Sequence, residues 1–129
     1  MPKKIIVAFD GTWNLPDQKP EIDGDASTNV VKLHDAILPS QKDGTLQKKI
    51  YVAGVGTDWY DKLEGGAFGV GLSKKIKDGY IALAKQYEEG DQVFIFGFSR
   101  GAYSARSLVG LIRNVGLLTK KHIDRIDEA

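Results

Sequence analysis

A chain of 129 residues, 42% hydrophobic and 27% charged, has the size and make-up of one folded domain, not of a disordered segment. Eighteen basic against seventeen acidic residues leave a net charge of +1, which excludes a large polyanion-binding field and so nucleic acid as the main partner. The absence of cysteine excludes a disulfide scaffold, a thiolate metal site and a cysteine nucleophile, and no apolar run approaches the roughly 20 residues of a membrane helix.

The first element is the apolar run at 5–9, which stops at Asp10-Gly11-Thr12. It is too short for a signal-peptide core and reads as a strand. A helix is predicted over 30–38, opened by Thr28-Asn29 and stopped by Pro39. A second apolar run, 49–53, ends at Gly54. Leu72, Ile76, Tyr80, Leu83 and Tyr87 recur at helical spacing and predict a long amphipathic helix from about 71 to 89. The third strand, 92–96, stops at Gly97. A helix over 101–114 follows, with Gly116 as its C-terminal cap, and Thr119 opens a short last helix over 120–128.

This alternation predicts an α/β fold, a mostly parallel sheet with flanking helices, in one domain over 1–129. The strands are continuously apolar, which suits a sheet covered on both faces. The connections at 11–27 and 54–69 are long, and such loops at the carboxyl ends of parallel strands are where α/β proteins build their sites.

The third strand and its helix are joined by Gly97-Phe98-Ser99-Arg100-Gly101, a G-x-S-x-G pattern placed between strand and helix. Ser99 there is a candidate nucleophile on a sharp, strained turn. Gly97 and Gly101 let strand and helix approach without Cβ clashes. The Arg100 N–H is the first oxyanion donor, and the Gly11 or Thr12 N–H is the candidate second. The competing expectation is a structural turn with Ser99 as a helix cap. Asp10 is a supporting candidate with two rivals, a phosphatase nucleophile and a turn-capping carboxylate. Thr12 stands where such phosphatases carry a second Asp.

No metal or cofactor is expected. The glycine segments at 54–57 and 65–74 match neither common phosphate-binding pattern, and Trp59, Tyr60 and Phe68 read as packing or as the wall of an apolar cleft. Arg106 and Arg113 share a helix face, solvated or anion-binding. A base for Ser99 is harder to find. His34 lies upstream in a helical segment, and His122 precedes Asp124 and Asp127, the reverse of the order in which an acid and then a histidine follow the serine.

Phe9-Asp10-Gly11-Thr12-Trp13-Asn14, Thr28-Asn29-Val30, Tyr51-Val52-Ala53-Gly54-Val55-Gly56-Thr57, Gly66-Ala67-Phe68-Gly69 and the block from Gly97 through Leu108 to Gly116-Leu117-Leu118 resemble the N-terminal half of one α/β-hydrolase family. It is the family of phospholipase catalytic domains of type VI secretion lipase effectors. The resemblance implies a partial α/β-hydrolase fold and hydrolysis of lipid or other esters through a Ser-Asp-His triad with Ser99 as nucleophile. It places the acid and histidine beyond Ala129, so a complementing chain, self-association or a longer parent chain would supply them. The alternative is a catalytically inactive binding or assembly module on the same fold. A cytoplasmic location is expected, or export by a route that needs no signal peptide.

Overall fold

The computed structural model describes residues 1–11, 27–54 and 68–128. Within them lie three strands, β1 (Lys4–Phe9), β2 (Gln47–Val52) and β3 (Gln92–Gly97), and three α-helices, α1 (Asn29–Ala36), α2 (Phe68–Gln86) and α3 (Arg100–Val115). A 3-10 segment, Lys120–Glu128, follows, broken at His122. The strands form a parallel sheet in the order β2-β1-β3, with Lys4 opposite Gln47 and Gln92 and Phe9 opposite Val52 and Gly97. The architecture is α/β, as the alternation of elements predicts. Thr12, Trp59 and Tyr60 lie outside the described residues, as does the side chain of Phe68.

β1 is apolar throughout because it is central, and its residues from Ile5 to Phe9 are all buried. Ile5, Val7 and Phe9 point to one face and meet Ile50 and Val52 of β2 there. Tyr80, Leu83 and Ala84 of α2 and Ala105 and Leu108 of α3 close that face, at the three- and four-residue spacing of one helical stripe. The Tyr80 hydroxyl donates to the Gly116 carbonyl at 2.9 Å and accepts from the Leu118 N–H at 2.9 Å, which ties α2 to the end of α3. Gly116 caps α3, its N–H donating to the Ile112 carbonyl at 2.8 Å.

Burial on both faces holds for β1 alone. β2 exposes Lys48 and Lys49, and on β3 Phe94 and Phe96 are each 41% exposed. β3 is an outer strand of this sheet, and its second face lacks a covering helix among the described residues. α1 stops at Ala36, two residues before the predicted end, and Ile37 is already extended. Pro39 disfavours helical geometry in the residue before it, so the helix gives way early.

At the amino end of the sheet, Asp91 gathers three donors. The Lys3 N–H reaches Oδ1 at 2.8 Å, while Lys3 Nζ at 2.6 Å and the Glu88 N–H at 2.9 Å reach Oδ2. These are three bonding groups from two residues plus the Lys3 charge, and the Asp91 side chain is 2% exposed. Burial alone would raise its pKa, but the bonds from Lys3 and Glu88 outweigh it and hold the carboxyl below its usual value. A depressed pKa means stability that is fully present above the ordinary aspartate value and lost as pH falls through the folded one. We therefore expect the melting temperature to drop in acid below about pH 4. Asp91→Asn should melt several degrees lower at pH 7 and show a flatter acid limb by circular dichroism.

The strand order fixes where a site can form. The chain moves from β1 outward to β2, then crosses back over β1 to β3. Right-handed crossovers put α1 and α2 on opposite faces of the sheet, and the carboxyl ends of β1 and β3 become the switch point at which open α/β sheets place their sites. Asp10-Gly11 leave the sheet at the end of β1 and Ser99 at the end of β3.

Candidate active site

Ser99 sits between β3 and α3 with φ 54° and ψ −126°, the one non-glycine residue at positive φ among the described residues. It is exposed. Its side chain makes no cap hydrogen bond, so the expectation of a helix-capping serine is not met. The main chain makes the turn instead. The Phe98 N–H donates to the Phe9 carbonyl at 3.1 Å, the Gly101 N–H to the Phe98 carbonyl at 2.8 Å, and the Ala102 N–H to the Ser99 carbonyl at 2.9 Å.

The two flanking glycines are required by contact. A Cβ on Gly97 would collide with the Gly101 carbonyl and lie 2.6 Å from Ala102 Cα. A Cβ on Gly101 would lie 2.5 Å from both the Phe9 and Asp10 carbonyl oxygens. The first turn of α3 therefore rests directly on the end of β1. Arg100 opens that helix, in the turn whose amides point out of the helix end.

Asp10 is 3% exposed and engaged by three donors. Its Oδ1 accepts the Gly11 N–H at 2.8 Å. Its Oδ2 accepts the Thr28 hydroxyl at 2.8 Å and the Tyr51 hydroxyl at 2.6 Å. A carboxylate so buried and so occupied is not presented for attack on a phosphate, which removes the phosphatase alternative. The Gly11 amide, a candidate oxyanion donor, is committed to Asp10, and the other candidate on this loop, Thr12, lies outside the described residues. Burial first, then the hydrogen bond to Asp10 and the charges of Asp10 and Asp35, raise the Tyr51 pKa well above the usual phenol value. Tyr51 thus stays a donor to Asp10 across the neutral range.

Thr28 and Tyr51 carry no site signal in sequence beyond a helix start and an apolar strand. Thr28 also caps α1, its hydroxyl accepting the Val31 N–H at 3.2 Å. The ring of His34 meets Tyr51 edge-on, centroids 5.7 Å apart, and its Nδ1 is 3.3 Å from an Asp35 oxygen. His122 is bonded to Thr119 at 2.9 Å. It follows Lys120, whose Nζ is 3.5 Å from Glu88, and Glu88 also binds Lys3 ahead of β1. His122 therefore belongs to the amino end of the sheet, about 20 Å of strand away from the carboxyl end that carries Ser99. Arg106 and Arg113 are both exposed on α3. Among the described residues no three His, Asp or Glu side chains converge as metal ligands, and no helix is long and apolar enough to cross a membrane.

The sequence of the chain also matches a known family. Residues 3–129 fit the family described as T6SS, phospholipase effector Tle1-like, catalytic domain. The chain belongs to that Tle1-like family. An uncharacterized protein of Saccharomyces cerevisiae, YEL023C, is 35% identical over 133 residues, which takes in 92% of this chain and 18% of that protein. This Tle1-like chain thus spans less than a fifth of the curated relative it matches. No solved structure matches it.

Proposed function

We propose that this Tle1-like chain is the serine-bearing part of an α/β-hydrolase that cleaves the ester bonds of phospholipids, with Ser99 as nucleophile. The observation that carries the reading is Ser99 itself, a strained and exposed residue whose hydroxyl caps nothing, set at the carboxyl end of β3 beside that of β1. Gly97-Phe98-Ser99-Arg100-Gly101 would then be a nucleophile elbow. Ser99 Oγ attacks the ester carbonyl, and the carbonyl oxygen becomes an oxyanion beside the first turn of α3. The Arg100 N–H and the positive end of the helix dipole stabilise that charge. Gly97 and Gly101 support the turn by allowing its close approach to β1, and Asp10 holds the loop beside it.

The hydroxyl proton needs a base. His122 is directed to the far end of the sheet, and His34 is turned to Tyr51 and Asp35. We assign the base and its acid to a polypeptide segment that adds at β3, from a longer parent chain, a complementing chain or a second copy. β3 supports this assignment. It carries no charged residue that would guard an edge, whereas β2 exposes two lysines.

The test is covalent labelling with a fluorophosphonate probe, alongside hydrolysis of short-chain and phospholipid esters. Wild type, joined by the polypeptide that supplies the base, is expected to label and to turn over ester. Ser99→Ala, with an unchanged circular dichroism spectrum, is expected to lose both signals, a drop of 10³-fold or more in rate, on the order seen when a catalytic serine is removed. A folded wild type that neither labels nor hydrolyses in that completed form would instead identify a binding or assembly module.

A further inference from the structure

We propose that Asp10 is a positioning residue for Ser99, acting by fixing the Asp10–Gly11 peptide plane against the turn; this rests on the nucleophile reading above. Three elements set the carboxylate. Thr28, 18 positions on in sequence, and Tyr51, 41 positions on, both donate to Oδ2. That pins the side-chain rotation and leaves Oδ1 for the Gly11 N–H. In a trans peptide the N–H and the C=O point in opposite directions. Holding the Gly11 N–H toward the carboxylate therefore holds the Asp10 carbonyl the other way, toward Gly101, where a Cβ would lie 2.5 Å from it. The neighbouring Phe9 carbonyl accepts the Phe98 N–H. Two successive carbonyls, of the last residue of β1 and the one after it, thus seat the residues on both sides of Ser99, and the carboxylate orients one of them.

Without that carboxylate the peptide is free to turn over. Its carbonyl would leave α3 and its N–H would face the turn, so that the polar lining beside Ser99 changes. Asp10 touches no substrate in this scheme.

The experiment follows two readouts across the protein, completed by the polypeptide that supplies the base, and its Asp10→Ala, Asp10→Asn and Tyr51→Phe variants. One is the rate of fluorophosphonate labelling of Ser99. The other is hydrogen-exchange protection of the Gly11 amide by NMR. Asp10→Ala is expected to lose Gly11 protection and to label at least about tenfold slower, the order of penalty for small misplacement of a reacting group. Asp10→Asn keeps an oxygen for the Gly11 N–H and should restore labelling to within about threefold of wild type. Tyr51→Phe leaves Thr28 on Oδ2 and should stay within the same range. If Asp10→Ala does not fold, Asp10→Asn decides: labelling must move with Gly11 protection. Protection kept with labelling lost, or protection lost with labelling kept, overturns the proposal. A wild type that labels, and labels equally well in folded Asp10→Ala, overturns the positioning role alone. A wild type that never labels at Ser99 sinks the nucleophile reading and this role with it.

Discussion

Gly101→Ala is expected to destabilise the protein by about 3 kcal/mol, the upper range for a side chain forced into a packed site, and to lower its melting temperature by roughly 10 °C. The new Cβ has no room. It would lie 2.5 Å from the carbonyl oxygens of Phe9 and Asp10, both of them main chain at the end of the central strand. A flexible side chain could swing away, but β1 is held on both edges by parallel pairing, so α3 must move instead. That movement would lift Ser99 and Arg100 off the end of β1, and labelling of Ser99 should fall further than the loss of folded protein explains. Gly110→Ala is the control in the same helix. Its Cβ meets nothing within 4 Å, so alanine there should stabilise by roughly 0.5–1 kcal/mol through helix propensity alone. Thermal unfolding of the two variants checks both. Equal melting temperatures would mean that α3 does not rest on β1 as described.

The elements that were legible in the sequence are those whose signal is local. The runs at 5–9, 49–53 and 92–96 lie within a few residues of β1, β2 and β3, and the junction after Gly97 is a turn because the residues there permit little else. Gly116 was legible as a cap for the same reason. What stayed hidden depends on pairing between distant residues. The bonds of Thr28 and Tyr51 to Asp10 exist because β2 lies beside β1 in a register that sets Tyr51 opposite Ala8. No local pattern encodes that register. The exposure of Phe94 and Phe96 likewise follows from strand order, since an apolar run looks the same at the centre of a sheet and at its rim. The remoteness of His122 from Ser99 is a third case. Only 23 positions separate them in sequence, but α3 carries the chain from the carboxyl end of the sheet back to its amino end.

Ser99→Gly is expected to make the protein more stable while abolishing its labelling. A non-glycine residue at φ 54° and ψ −126° carries strain on the order of 1–3 kcal/mol. Glycine removes that strain and loses roughly 0.5–1 kcal/mol to the greater freedom of the unfolded chain. The net expectation is a gain of about 1 kcal/mol, or a few degrees in melting temperature. Ser99→Ala keeps the strained backbone and loses no cap bond, so its stability should stay within about 0.5 kcal/mol of wild type. Loss of a true capping serine would cost about 1 kcal/mol in the alanine variant. The two substitutions therefore separate the roles by thermal unfolding. A glycine variant less stable than the alanine variant would show that position 99 is not strained. A glycine variant that is more stable, with the alanine variant level with wild type, leaves the hydroxyl with no part in holding the fold together. Under the proposed nucleophile role such strain is retained for what the hydroxyl does at the strand end, which the labelling of the same samples reads directly.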